Sequence, residues 1–444
     1  MQVPKTPPDF QQLLQNIAPE RFAVVLAAIR PTEEYWHWDE IRHRTPPPGL
    51  TNQEWWIGLK LGRIAQYRHL PLKDQKKQAF RYFTTDPILA FLHDVDLRAG
   101  GSVSMGEQIP NQETRNQYHV SSLMEEAITS SQLEGAATTR EVARDMLRTG
   151  RPPLDVSERM ILNNYLTMRQ LAEWRNKPLT KDLVFEIHRL ITQETLDDES
   201  AAGRFRRKDE TICVEDDRGE ILHVPPPSFE LPERMKMMCE FANAPDGDQH
   251  FLHPVIRAII LHFWLAYDHP FKDGNGRTAR ALFYWLMLRR EFWLFEFVSI
   301  SQILNKSQTN YARAFLHTET DDNDLNYFII HQLQVIRKAV DALHDYIKRK
   351  TLETKQLSAA LRGRDDINHR QEAILNRAIR HPGTVFTIES HRASHDISYF
   401  TARSDLLGLA NLHFLQKRKR GKGFVFEATT NLGLALKGFA QNQQ

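Results

Sequence analysis

His269-Pro270-Phe271-Lys272-Asp273-Gly274-Asn275-Gly276-Arg277-Thr278-Ala279-Arg280 is the stretch on which the reading of this chain turns. An apolar run, residues 255–267, precedes it and a second, residues 281–288, follows it. Each reads as a buried helix, so the string is a loop that ends at a helix N-terminus. The first amides of a helix lack internal partners, and the dipole there favours anions. Gly274 and Gly276 carry no side chain to bar a phosphate, and both reach positive φ easily. Arg277 and Arg280 lie three apart and project from one side of the first turn. Two cations oppose the dipole there, unless a polyphosphate sits between them. Asp273 adds a hard oxygen suited to Mg²⁺. His269 adds a base that titrates near neutrality. Anion nest, metal ligand, cationic clamp and general base are the components of a phosphate-transfer site.

Working outward, most of the chain has helical periodicity, clearest at 10–17, 54–67, 121–133, 140–147, 158–174, 181–194 and 325–347. Thr51 is positioned to cap the helix that carries Trp55 and Trp56. Gly135 is a natural stop after 121–133, and Thr138 with Glu141 spells a capping box for the next helix. Glu134 thereby stands at a helix C-terminus, where the dipole disfavours an acid and a nearby cation would relieve it. Residues 211–214 and 220–224 flank an Asp/Gly turn and read as a β-hairpin. Beyond residue 368 come three helical stretches (369–380, 388–394, 398–412). The basic run Lys417-Arg418-Lys419-Arg420-Gly421-Lys422-Gly423 and a strand-like 424–427 follow. Three helices and a basic hairpin outline a winged helix, a helix-turn-helix variant that serves either DNA or protein partners. The expected fold is mainly α with three regions: an N-terminal helical region at 1–105, a catalytic domain at 106–347 that includes the helix 121–134, and a winged-helix-like domain at 348–444. Residues 100–110 read as a linker.

Bulk properties exclude several classes. The chain has 444 residues and a formal net charge of only +2, so whole-chain attraction to nucleic acid or membrane is not expected. Two cysteines, Cys213 and Cys239, do not make a disulfide framework and point to a reduced cytoplasm. No apolar stretch approaches the ~20 residues of a membrane span, and no signal-peptide pattern is present. His253, His262 and His269 lack metal-ligand spacing, and the first two read as structural.

The central string matches the Fic (Fido) family motif, His-x-Phe-x-Asp/Glu-Gly-Asn-Gly-Arg-x-x-Arg, at every defined position. Ser130-Ser131-Gln132-Leu133-Glu134-Gly135 matches a second motif of that family, Ser/Thr-x-x-x-Glu-Gly/Asn. The chain thus resembles Fic protein adenylyltransferases of the class with an N-terminal inhibitory helix, over about half its length. The resemblance implies a helical Fic core that moves AMP from ATP to a Ser, Thr or Tyr hydroxyl of a protein. It implies that His269 takes the hydroxyl proton and that Asp273 holds Mg²⁺ against the α- and β-phosphates. Asn275 would bind the α-phosphate, Gly274, Gly276 and Arg277 the β-phosphate, and Arg280 the γ-phosphate. Relatives that phosphorylate instead carry lysine at the position of Gly276.

The same resemblance makes Glu134, with Ser130, a brake that pairs with Arg280. It makes Thr211, Ile212, Cys213 and Val214 the first strand of a flap that docks the target. Expected partners are a protein target, further copies of the chain (through self-modification and as a homodimer), and DNA through the C-terminal domain. Two rival readings stand beside this one: an AMP-removing hydrolase, and a DNA-binding regulator that senses ATP.

Overall fold

A computed structural model describes residues 3–28, 34–99, 112–216, 218–247, 251–361, 366–380, 383–420, 423–429, 432 and 435–436. The 100–110 stretch expected as a linker lies outside them. The helices are α1 Phe10–Asn16, α2 Pro19–Ala28, α3 Trp38–Ile41, α4 Asn52–Ile64, α5 Asp86–Ala99, α6 Gln112–Gln132, α7 Arg140–Thr149, α8 Val156–Trp174 and α9 Lys181–Thr192. They continue with α10 Leu231–Asn243, α11 Pro254–Asp268, α12 Asn275–Arg289, α13 Ser301–Asn305, α14 Gln308–Thr320, α15 Asn326–Leu361, α16 His369–Arg380, α17 Ile388–His395 and α18 Tyr399–Asn411. The strands form three small antiparallel sheets: β1 Arg68–Lys73 with β2 Ala79–Tyr82, β3 Val214–Glu215 with β4 Ile221–His223, and β5 Val385–Thr387, β6 Leu415–Arg420 and β7 Gly423–Ala428 in the order β5-β7-β6. The fold is mainly α, as the periodicity requires.

Two compact units emerge, Met1–Val103 with His119–Asp341, and Ser104–Tyr118 with Ala342–Gln444. In the first, α11 and α12 form the centre, with α8 and α9 packed on α12 and α10 on α11. Trp264, Trp285, Phe263 and Phe283 on these two helices are essentially inaccessible. Burying such a ring stabilises by roughly 1.5–3 kcal/mol, so this helix pair is a firm platform for the loop between its members. Capping sets the helix starts. Thr51 and Glu54 form a reciprocal capping box on α4, and Asp155 and Thr180 cap α8 and α9. The cap of α7 is Thr139, whose hydroxyl accepts from Val142 N–H, and not Thr138. The one-residue difference follows from the tight turn at Gly135 (φ 92°), where Ala136 N–H bonds back to the Ser131 carbonyl.

The first 103 residues group with the central helices, and buried polar pairing explains why. Lys60 Nζ meets Asp321 Oδ1 at 2.6 Å, and Tyr327 Oη donates to Asp321 Oδ2 at 2.8 Å. Arg63 donates to Tyr327 Oη and to the Trp36 carbonyl at 2.8 and 3.0 Å. Tyr35 and Tyr67 both donate to Asp324 Oδ2 at 2.6 Å. The region is not all helix. The β1–β2 hairpin joins the Asp321–Asp324 turn through Arg81 N–H to the Asn323 carbonyl and Leu325 N–H to the Arg81 carbonyl.

The second unit contains α16, α17 and α18 with the β5-β7-β6 sheet around Leu375, Leu406, Leu409, Phe414 and Phe426. Buried Asp405 is held by Asn368, Arg370 and His391. Helix α15 continues to Leu361, through the charged segment expected to separate the catalytic domain from the C-terminal one. Its Leu, Glu, Lys, Gln and Ala residues are good helix formers, and no glycine or proline intervenes before Gly363.

Candidate active site at the start of α12

Helix α11 ends where His269 takes a left-handed conformation (φ 44°, ψ 57°), with its N–H still bonded to the Leu265 carbonyl at 3.0 Å. The ring is aimed by Nδ1, which lies 3.2 Å from the Ala266 carbonyl. A carbonyl only accepts, so Nδ1 carries the proton and Nε2 keeps the lone pair. Burial, joined by the charges of His223 and Arg206, pushes the imidazole down to about 4 against weaker opposition from Ala266 and Glu134. It is neutral at physiological pH, the form a general base needs.

The loop from His269 is held from both ends. Asn275 Oδ1 accepts from Phe271 N–H and its Nδ2 donates to the Phe271 carbonyl, both at 2.9 Å. Its side chain, expected on a phosphate, closes the loop in this structure. Phe271 is fully buried and stacks on His188 with ring centroids 3.8 Å apart. His188 accepts from Gly203 N–H at Nδ1, which leaves Nε2–H to donate to the Asp273 carbonyl at 2.8 Å. Arg206 donates to the His269 carbonyl at 2.9 Å and to the Pro226 carbonyl. Gly274 takes φ 79°, and a Cβ there would lie 2.7 Å from Thr192 Cγ2, so both conformation and space demand glycine.

Helix α12 starts at Gly274 with no side-chain cap. Thr278 N–H is the first to bond back, to the Gly274 carbonyl at 3.0 Å. The amides of Asn275, Gly276 and Arg277 precede that bond and form the open end of the helix. Arg277 is 1% exposed. It donates to the Ile191 carbonyl at 3.2 Å, while Nε and Nη2 are buried without a hydrogen-bond partner among the described residues. Burial holds its pKa below the ordinary value, and Asp273 Oδ2 stands 3.7 Å away. Arg280 is equally buried but fully engaged. Nε donates to Ser130 Oγ, and Nη2 to the Ser130 carbonyl and to Glu134 Oε1, all at 2.9 Å.

Glu134 comes from the end of α6 and lies against the helix opening, since a Cβ on Gly276 would fall 2.2 Å from its Oε1. Burial raises this carboxyl, but Arg280 and Arg277 outweigh it and hold Glu134 below its usual value, hence ionised. An anion therefore sits where the helix amides and two arginines converge. Asp273 extends outward, its side chain 56% exposed and Oδ1 accepting from Gly274 N–H. Among the described residues no three His, Cys, Asp or Glu side chains group as a metal site. One carboxylate suits Mg²⁺ only where phosphate oxygens and water complete its shell. The residues present fit that arrangement.

The flap is shorter than expected. Val214 pairs with His223 and Glu215 with Ile221, whereas Thr211, Ile212 and Cys213 precede the strand. Asp216 draws Arg218 and Glu220 amides onto its carboxylate at 2.9 and 3.0 Å, which closes the turn early. His253 caps α11. His262, buried and neutral with its value near 3, meets Tyr311 Oη at 2.8 Å. The run Gly203-Arg204-Phe205-Arg206 and the stretch ending at Tyr311 resemble the usual surroundings of the motif, but their contacts are not readable from it; sequence reasoning missed His188 and His223.

A buried helix pair, a loop ending at an uncapped helix, and a histidine–glycine–arginine string make up the candidate site. Residues 178–287 match the Fic/DOC family profile. It is 29% identical over 198 residues to the protein adenylyltransferase Fic of Nematostella vectensis, covering 43% of this chain and 41% of that protein. The counterpart in Culex quinquefasciatus is 37% identical over 110 residues, 24% of this chain and 19% of the relative. The matches thus span less than half the length of either relative. Among solved structures, a Fic family protein from Desulfovibrio desulfuricans G20 aligns with a TM-score of 0.48 at 20% identity, over 77% of this chain and 94% of that one. Among the described residues no helix is long and apolar enough to cross a membrane.

Proposed function

We propose that this chain is an autoinhibited protein adenylyltransferase that moves AMP from ATP to a Ser, Thr or Tyr hydroxyl of a protein. One observation carries the reading: a neutral His269 with its Nε2 lone pair stands beside an uncapped helix opening that already attracts an anion, Glu134. In the proposed step the hydroxyl proton passes to His269 Nε2 and the oxygen attacks the α-phosphorus in line. The bond from that phosphorus to the oxygen bridging to the β-phosphate breaks, and pyrophosphate leaves. The amides at Gly274 to Gly276 and Arg277 hold the β-phosphate, and Arg280 the γ-phosphate. Mg²⁺ held by Asp273 and the phosphates would neutralise charge on the leaving group.

Glu134 is the brake, since it takes Arg280 and lies on Gly276. With α-labelled ATP, Glu134→Gly is expected to raise self-labelling at least tenfold, the equivalent of one ~1.4 kcal/mol ion-pair contribution. His269→Ala in that background is expected to abolish it. Label from γ-labelled ATP, or equal labelling with and without Glu134, overturns the reading. The ionised Glu134 also favours a second activity, orientation of water for AMP removal. Release of AMP from a modified protein that depends on Glu134 would support it.

For the second unit we propose a winged-helix DNA-binding module. Tyr399, Phe400 and Arg403 are exposed at the start of α18, and Lys417, Arg418 and Lys419 are exposed on β6. A mobility shift with duplex DNA that weakens steeply with salt would support it, and a salt-insensitive blank would remove it.

A further inference from the structure

Strand β4 is anchored through a histidine. His223, whose side chain is only 9% exposed, has Glu319 Oε2 at 2.8 Å from Nδ1 and the Tyr267 carbonyl at 2.8 Å from Nε2. A carboxylate and a carbonyl only accept, so both contacts are hydrogen bonds at once only when both ring nitrogens carry protons. The groups around the ring are Glu319 on α14, and Tyr267, Asp268 and His269 at the end of α11; Arg206 acts on His269. Burial works against the charge, but Glu319 and the Tyr267 carbonyl outweigh it and raise the imidazole above 6.5. The next residue, Val224, accepts from Gln75 in the β1–β2 turn, and Pro226 accepts from Arg206. Three ties thus pin the outgoing side of the flap, and the first lies two residues from His269 along the α11 end.

We infer that His223, as an imidazolium clasped between Glu319 and the Tyr267 carbonyl, is a positioning residue that fixes the flap strand beside His269. Ile221 and Val224, on either side of it, are 54% exposed. An extended protein segment laid on this strand meets a rigid edge, and its hydroxyl arrives at a set height over Nε2. Burial is the main reason the His269 imidazole stays below its usual value, and the positive charge of His223 adds to it. The inference rests on the transfer reading proposed above. It gives the N-terminal region, through Gln75, a share in target placement.

The test uses the full chain in the Glu134→Gly background with α-labelled ATP as the probe. His223→Gln is expected to lower self-labelling about tenfold, while the Kd for ATP measured by calorimetry stays within about twofold, since nothing in the tether touches the nucleotide loop's arginines. Self-labelling of the parent should fall as pH rises through the raised value of His223. Glu319→Gln, which removes the carboxylate and keeps its shape, should move that fall to lower pH. NMR titration of the His223 ring should give a value above 6.5 in the parent and below it in the Glu319→Gln chain, and amide exchange at 214–224 should quicken in that variant. Full labelling by His223→Gln, or a titration and exchange indifferent to Glu319, overturns the tether. A parent chain that transfers no label while titration and exchange behave as stated sinks the transfer reading and leaves the tether standing.

Discussion

Two buried charge clusters in the first unit invite comparison. Around Lys60, Arg63, Asp321 and Asp324, each charge meets an opposite charge or a hydroxyl at hydrogen-bond distance. Around Arg277, Arg280 and Glu134, one arginine is hydrogen-bonded through Nε and Nη2, the other has two nitrogens with no hydrogen-bond partner among the described residues, and the carboxylate is 24% exposed. Burial is similar and completeness is not. A closed cluster welds chain segments together, because every polar group has regained in the fold the partners it lost on leaving water. An open one keeps a deficit that a ligand can fill. The uncapped start of α12 makes the same point beside the reciprocal box of α4.

The contrast breaks most visibly at Asp321. Replacing it by alanine leaves buried Lys60 with only the exposed Asp322 at 3.2 Å and removes the carboxylate 3.8 Å from Arg63, and an unfolding free energy lower by about 3 kcal/mol is expected in urea titrations. A loss under about 1 kcal/mol would mean the weld is not one. Arg277→Gln should behave oppositely. Stability stays unchanged or rises, because a poorly compensated cation is removed, while ATP affinity in the Glu134→Gly background falls by roughly 1.5–3 kcal/mol. Destabilisation without loss of ATP binding would reverse the assignment.

The smallest expected effect is in acid. Burial pushes His37 and His317 beside the weld to about 4 and about 3, and His188, His262 and His269 to about 4, about 3 and about 4. Folded values below 6.5 mean the unfolded chain binds protons first, so stability is present above pH 6.5 and is lost as pH falls from there toward 4. His317→Gln should flatten the dependence of Tm on pH by a share worth at most about 1.4 kcal/mol per pH unit. An identical slope would show that His317 is protonated in the fold.

The candidate-site loop is legible in the sequence because its residues are contiguous: His269, Asp273, Gly274 and the arginines fall within one short string, and the helix start follows from their order. The long helices are legible for the same local reason. The β1–β2 hairpin is not, although Leu70 and Leu72 alternate inward, as do Phe80 and Tyr82. Each run is short, Pro71 interrupts the first, and a lysine-rich turn hides the pairing. The flap strands come out shorter than their apolar runs because a sequence does not show Asp216 gathering amides. The partners of His188, Arg206 and Glu319 are out of reach altogether. These three side chains act on groups 85, 63 and 96 residues away, and only the packed helices bring them there. Asn275 stands out in the string, but nothing in the string shows that both its arms return to Phe271.

The carboxylate of Glu134 lying on Gly276 has a quantitative consequence under the proposed reading. It is a competitor tethered to its own receptor, so its effective molarity is set by the Ser131–Gly135 turn and does not change with dilution. Cellular ATP would face a fixed opponent, and the chain's output would depend on whatever loosens that turn rather than on how much of the protein is made.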